Sequence, residues 1–185
     1  MDLVTSLQSL ATQNVYGISF LIAYGLTWIV CGIIWLKAKP RTAALCTLFQ
    51  GMVAFPIAMT LSFAIGALGQ DRPVEESITQ LSIFIGTSQL LGLPLLIYLF
   101  VQKQFTIMPY VFAAICSMHF MLYSWLYQTP FYIIMAALIA VGATIIMLVN
   151  AKAKGHNKAS LVSLFTGSSM LATVLVFLFI YFGSN

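Results

Sequence analysis

The sequence predicts an all-α, polytopic integral membrane protein, a bundle of six transmembrane helices with both termini on the outer side. Three observations carry this expectation. Of 185 residues, 61% are hydrophobic and 6% charged, whereas a soluble domain carries about 25% charged residues; mean hydropathy is +1.01. Six apolar windows, 15–36, 43–68, 79–101, 107–127, 131–149 and 160–182, run without interruption. Each is near or above the roughly 20 residues needed to cross ~30 Å of hydrocarbon. Short polar breaks separate them: KAKPR (37–41), GQDRPVEES (69–77), QKQ (102–104), QTP (128–130) and NAKAKGHNK (150–158). The alternating ten-residue strands of an outer-membrane barrel are absent. Little chain lies outside the windows, so 1–185 reads as a single transmembrane domain.

The opening segment MDLVTSLQSLATQN lacks the basic region and apolar core of a cleavable signal. Leu3, Leu7 and Leu10 follow helical spacing, which suits a short interfacial helix; a frayed tail is equally compatible. In the first span Gly17, Gly25 and Gly32 recur near one face. Small residues let membrane helices approach closely, so this face should pack against a neighbour, and it is also the candidate surface for a homo-oligomer or a membrane partner. Tyr16 and Trp35 sit where aromatic belts lie. Spans two and three each carry a mid-helix proline, Pro56 in AFPIA and Pro94 in GLPLL. Proline removes a donor and clashes with the preceding turn, so both are expected to kink their helices, either statically or around a cavity. Span four holds the stripe Cys116, His119, Tyr123, Tyr127, which should face the bundle interior. Beyond it, Tyr127 to Tyr132 reads as the outer aromatic belt and the turn into span five. Span six carries Ser163, Thr166, Ser168 and Ser169, residue types that readily bond their own helix backbone.

Charge placement gives the orientation. Seven basic residues (Lys37, Lys39, Arg41, Lys103, Lys152, Lys154, Lys158) lie in connections one, three and five, against Arg72 alone in the second. The positive-inside rule puts the basic loops 37–41, 102–104 and 150–158 in the cytoplasm. All four acids lie on the opposite side. The net charge of +4 needs no nucleic acid to explain it: the basic clusters flank helix ends, where lysines meet anionic headgroups. The expected surroundings are the lipid bilayer and a bacterial inner membrane.

Buried polar groups are the guide to function, because hydrocarbon makes them costly. Counting inward at about 1.5 Å per residue, Tyr24, Gln89, His119 and Thr173 fall at a similar depth, while Gln50 lies nearer the cytoplasm. His119 is the one intramembrane side chain of near-neutral titration. It reads either as a protonatable or ligand-orienting group, with Tyr24, Gln89 or Tyr123 as partner, or as a packing histidine hydrogen-bonded across helices. No catalytic residue, metal site or cofactor is expected. HExxH is missing, no Asp lies within a span, FTGSSM lacks a G-x-S-G motif, and His156 lies in a loop away from His119. Three cysteines, Cys31, Cys46 and Cys116, occur in apolar windows with no CxxC spacing.

The segment HFMLYSWLY, together with Gly17, Phe20, Trp28, Pro56 and Pro94, resembles an uncharacterised family of bacterial six-helix integral membrane proteins, a domain of unknown function. The resemblance rests most on His119, Tyr123 and Trp125-Leu126-Tyr127. It implies the architecture and an inner-membrane location, and no activity. The leading functional reading is a transporter or channel-like protein for a small solute, neutral, aromatic or weakly ionic. Its polar cavity would be lined by Tyr24, Gln89, His119 and Tyr123. The alternative is a non-catalytic accessory or oligomerising subunit meeting a partner through Gly17 and Gly25. A membrane-embedded enzyme comes third.

Overall fold

The computed structural model describes residues 2–69, 72–149 and 155–183. Asp71 and part of the basic loop 150–158, with Lys152 and Lys154, lie outside them. Among the described residues there are eight α-helices and no strand: α1 Leu3–Gln13, α2 Ile18–Lys37, α3 Pro40–Ala64, α4 Glu76–Thr87, α5 Leu93–Val101, α6 Met108–Leu126, α7 Phe131–Val149 and α8 Gly155–Gly183. Six stretches are long and apolar enough to cross a membrane: Val15–Lys37, Pro40–Ala64, Glu76–Val101, Phe105–Leu126, Phe131–Val149 and Gly155–Gly183. The all-α polytopic bundle is as the sequence predicts. Large apolar side chains such as Met52, Phe84, Leu91 and Phe179 point outward, as a lipid-facing surface requires.

Helix boundaries move where capping chemistry differs from hydropathy. Span two starts at Pro40, a residue with no N–H to lose in the first turn, so Arg41 is helical. It stops at Ala64, because Gly66 takes φ 73°. Gly66 N–H donates to Phe63 O (3.1 Å) and Ala67 N–H to Ser62 O (2.9 Å), the paired bonds of a Schellman end. The same pairing ends α5 at Lys103 and α6 at Gln128, both at positive φ. α8 begins at Gly155, earlier than the apolar window, and takes His156 into its first turn rather than leaving it in a loop. Lys158 Nζ donates to the Met147 carbonyl near the end of α7 (3.1 Å), where the helix dipole favours a cation.

The two prolines behave differently. α3 continues as one helix through Pro56. The third span breaks, but upstream of its proline. A 3₁₀ stretch, Ser88–Gly92, separates α4 from α5, and Pro94 sits in the first turn of α5. The proline ring excludes an α-helical carbonyl four residues back, here Leu90, which places the irregularity in 88–92.

α2 is the hub, packed most closely against α8 and next against α3. A Cβ on Gly167 would lie 2.6 Å from the Gly25 carbonyl oxygen, and one on Gly25 would lie 2.9 Å from Leu171. Ser160 Oγ donates to the Gly32 carbonyl (2.7 Å). The glycine face packs against α8 of the same chain, and Gly17 is covered by Tyr127 and Tyr132. Trp35 is core rather than belt: it is 1% exposed, and its indole N–H donates to Thr47 Oγ1 (3.0 Å). Trp28 meets Phe112 of α6 at 5.3 Å. α1 is ordered as a helix, and its Leu7 and Leu10 are buried in the bundle, so one apolar face docks on protein. The third span is peripheral; of its side chains only Ile85 and Leu96 are buried.

Candidate functional site

A cavity of about 310 Å³ opens between α2, α3, the broken third span and α6, at the low end of the roughly 300–1,000 Å³ typical of small-ligand sites. Phe20, Leu21 and Tyr24 come from α2, and Phe55, Met59 and Ser62 from α3. Ser82, Ile83, Gly86, Thr87 and Gln89 come from the third span, and His119, Phe120, Tyr123 and Leu126 from α6. Asn14, Gly17, Arg72, Tyr127 and Tyr132 surround the end beside the α6–α7 turn. Arg72 is the one charged side chain in the described lining, and no carboxylate is present there. Among the described residues no group of three His, Cys, Asp or Glu gathers as a metal site.

Tyr24 of α2, Gln89 of the third span, and His119 and Tyr123 of α6 all face this cavity. His119 is 7% exposed. Its Nδ1 lies 3.0 Å from Ser88 Oγ, and Ser88 Oγ is 2.8 Å from the Ile85 carbonyl, to which it donates. The Tyr123 ring stands edge-on to the imidazole at 5.0 Å and 83°. Gln89 Nε2 donates a long bond, 3.4 Å, to the Tyr24 hydroxyl. Two other polar groups are not brought in. Thr173 bonds the Ser169 carbonyl of its own helix (2.9 Å). Gln50 is buried outside the cavity, with neither amide atom hydrogen-bonded.

The end of the cavity is a tyrosine cluster. Tyr123, Tyr127 and Tyr132 pack mutually at 5.6–5.8 Å between ring centroids. The Tyr132 hydroxyl donates to the Tyr16 carbonyl (2.6 Å), and Tyr16 stacks on Phe177 at 5.1 Å. That arrangement needs the sharp turn Val15–Gly17, where three successive residues take positive φ (45°, 51° and 72°). Such a φ is unusual for a β-branched residue, and Gly17 is the member that suits it without cost. Burial pushes the Tyr127 phenol up to about 12, while the Arg72 charge and a hydrogen bond with Asn14 act the other way.

Tyr127 and Tyr132, read from sequence as an interfacial belt, are thus buried walls of the site. A signal existed for Tyr127, which continues the His119–Tyr123 stripe at i+4. None existed for Ser88, since a serine in an apolar span ordinarily bonds its own backbone. Chemically, the site supplies aromatic faces, hydroxyls, the Asn14 and Gln89 amides, the Arg72 guanidinium and one imidazole.

A family model described as Family of unknown function (DUF7010) matches residues 5–182. The chain belongs to that family. The match takes in every cavity residue named above, so in this member the site lies within the family domain. No curated protein and no solved structure matches the chain.

Proposed function

We propose that the protein is a small-solute transporter that takes a planar, largely apolar molecule, neutral or singly anionic, into the cavity beside His119. The observation that carries this reading is convergence: three helical segments bring Tyr24, Gln89, and the α6 pair His119 and Tyr123 onto one cavity surface. Aromatic walls favour a flat ligand. The absence of a carboxylate from the described lining, with Arg72 beside Tyr127, argues against a cation. The membrane is a bacterial inner membrane, with loops 37–41, 102–104 and 150–158 cytoplasmic, so the cavity opens outward. The support is the distribution of basic residues, seven on one side and one on the other.

The test is exchange of labelled 4-hydroxybenzoate across proteoliposomes, chosen because its charge slows unaided permeation. Saturable exchange by the wild type, lost at least tenfold in His119→Ala with unchanged helicity and elution, is the expected result. Exchange equal to that of empty liposomes, or unaltered in His119→Ala, refutes the proposal.

A further inference from the structure

The His119 side chain meets the third span through one nitrogen. Ser88 Oγ stands 3.0 Å from Nδ1 and is bonded to the Ile85 carbonyl at 2.8 Å. A serine hydroxyl has a single hydrogen and two lone pairs. A carbonyl can only accept, so the Ser88 hydrogen points to Ile85 and its oxygen is left to accept. The Ser88 oxygen facing Nδ1 is then an acceptor, which requires hydrogen on Nδ1. A neutral imidazole protonated at Nδ1 is an acceptor at Nε2, the ring nitrogen left for the cavity that His119 lines.

We infer that Ser88 sets the tautomer of His119, so that the cavity offers Nε2 as an acceptor and selects ligands carrying a hydroxyl or N–H donor. The inference rests on the cavity being the ligand site and names the chemistry that site would prefer. Ser88 is a positioning residue. It belongs to the 3₁₀ stretch upstream of Pro94, where its hydroxyl back-bonds three residues while its oxygen faces α6. The break in the third span and the orientation of the histidine are one device.

Ring ¹⁵N resonances of full-length protein in nanodiscs test this. His156 is the only other histidine, so a His156→Asn background leaves His119 alone in the spectrum. The expected ring carries hydrogen on Nδ1 and none on Nε2. Ser88→Ala should move hydrogen toward Nε2, and Ser88→Thr should restore the original form; a purely structural serine would leave the ring unchanged. A wild-type ring protonated at Nε2, or a Ser88→Ala ring identical to wild type, overturns the inference. Titration with 4-hydroxybenzoate and its donor-less analogue 4-methoxybenzoate follows. The hydroxyl compound should shift the Nε2 resonance and bind about two- to tenfold more tightly, the worth of one net hydrogen bond. Equal affinity overturns the donor preference. The expected tautomer with neither compound bound refutes the cavity function instead, which separates the two failures.

Discussion

Gly17→Ala tests both the turn that seats the tyrosine cluster and the reason a glycine stands there. Two costs add. At φ 72° an alanine occupies the left-handed region, at about 1–2 kcal/mol. Its Cβ would also lie 3.1–3.2 Å from the ring and hydroxyl of Tyr127 and the hydroxyl of Tyr132. Those rings pack on each other and on Tyr123, and Tyr132 is tied to the Tyr16 carbonyl, so neither can retreat freely. Overpacking of this kind costs about 1–3 kcal/mol, giving roughly 2–5 kcal/mol in total. Gly69 supplies the control. It has φ 89°, but among the described residues its added Cβ would meet only Phe63, at 3.8 Å, so Gly69→Ala should cost about 1–2 kcal/mol from the backbone alone. Unfolding of the detergent-solubilised protein by SDS, followed by far-UV circular dichroism, measures both. If Gly17→Ala is no more destabilising than Gly69→Ala, the tyrosines do not press on Gly17 and the reasoning fails.

Three further outcomes follow from the same geometry. Gly167→Ala should destabilise more than Gly142→Ala in that assay, by about 1–3 kcal/mol. Its Cβ collides with the Gly25 backbone oxygen, whereas Gly142 faces the Phe165 ring, a side chain that can rotate away. Tyr127, held up to about 12 chiefly by burial, stays neutral in the folded state above pH 10 while the unfolded phenol ionises. Its contribution to stability is therefore complete below about pH 10 and declines as pH rises toward 12; Tyr127→Phe should remove that share of the alkaline loss, read from unfolding curves across this window. Single cysteines at Lys39 and Lys103 should resist an impermeant maleimide on intact cells, while those at Arg72 and Gln128 react. The reverse pattern inverts the proposed orientation.

The spans were legible because hydrocarbon imposes length and apolarity directly on sequence, and α7 coincides with its window. The Cys116–Tyr127 stripe was legible because helical period alone aims it inward. What stayed hidden depended on partners distant in the chain. Tyr132 and Trp35 occupy helix ends, where a belt residue and a buried one look alike until a neighbour is known; the neighbours are Tyr16 and Thr47. Gly25 advertised close packing without saying against what, and the answer was Gly167 of the same chain. Ser88 reads as an ordinary backbone-bonded serine, and only the fold places it against a ring 31 residues later. The break in the third span was expected at Pro94, but proline disrupts the turn before itself, and the polar atoms that matter lie in that turn.

Protection of a cysteine in the cavity wall tests most directly whether ligand occupies the space beside His119. Ser62 is buried on α3 and lines the cavity. Ser62→Cys, in a chain with Cys31, Cys46 and Cys116 replaced, would be reacted with a small methanethiosulfonate in nanodiscs, with and without 4-hydroxybenzoate. The predicted result is modification slowed severalfold by the compound, with that protection absent in His119→Ala. Modification at the same rate whether or not the compound is present, under conditions that saturate exchange, would place the solute elsewhere and contradict the assignment of this cavity.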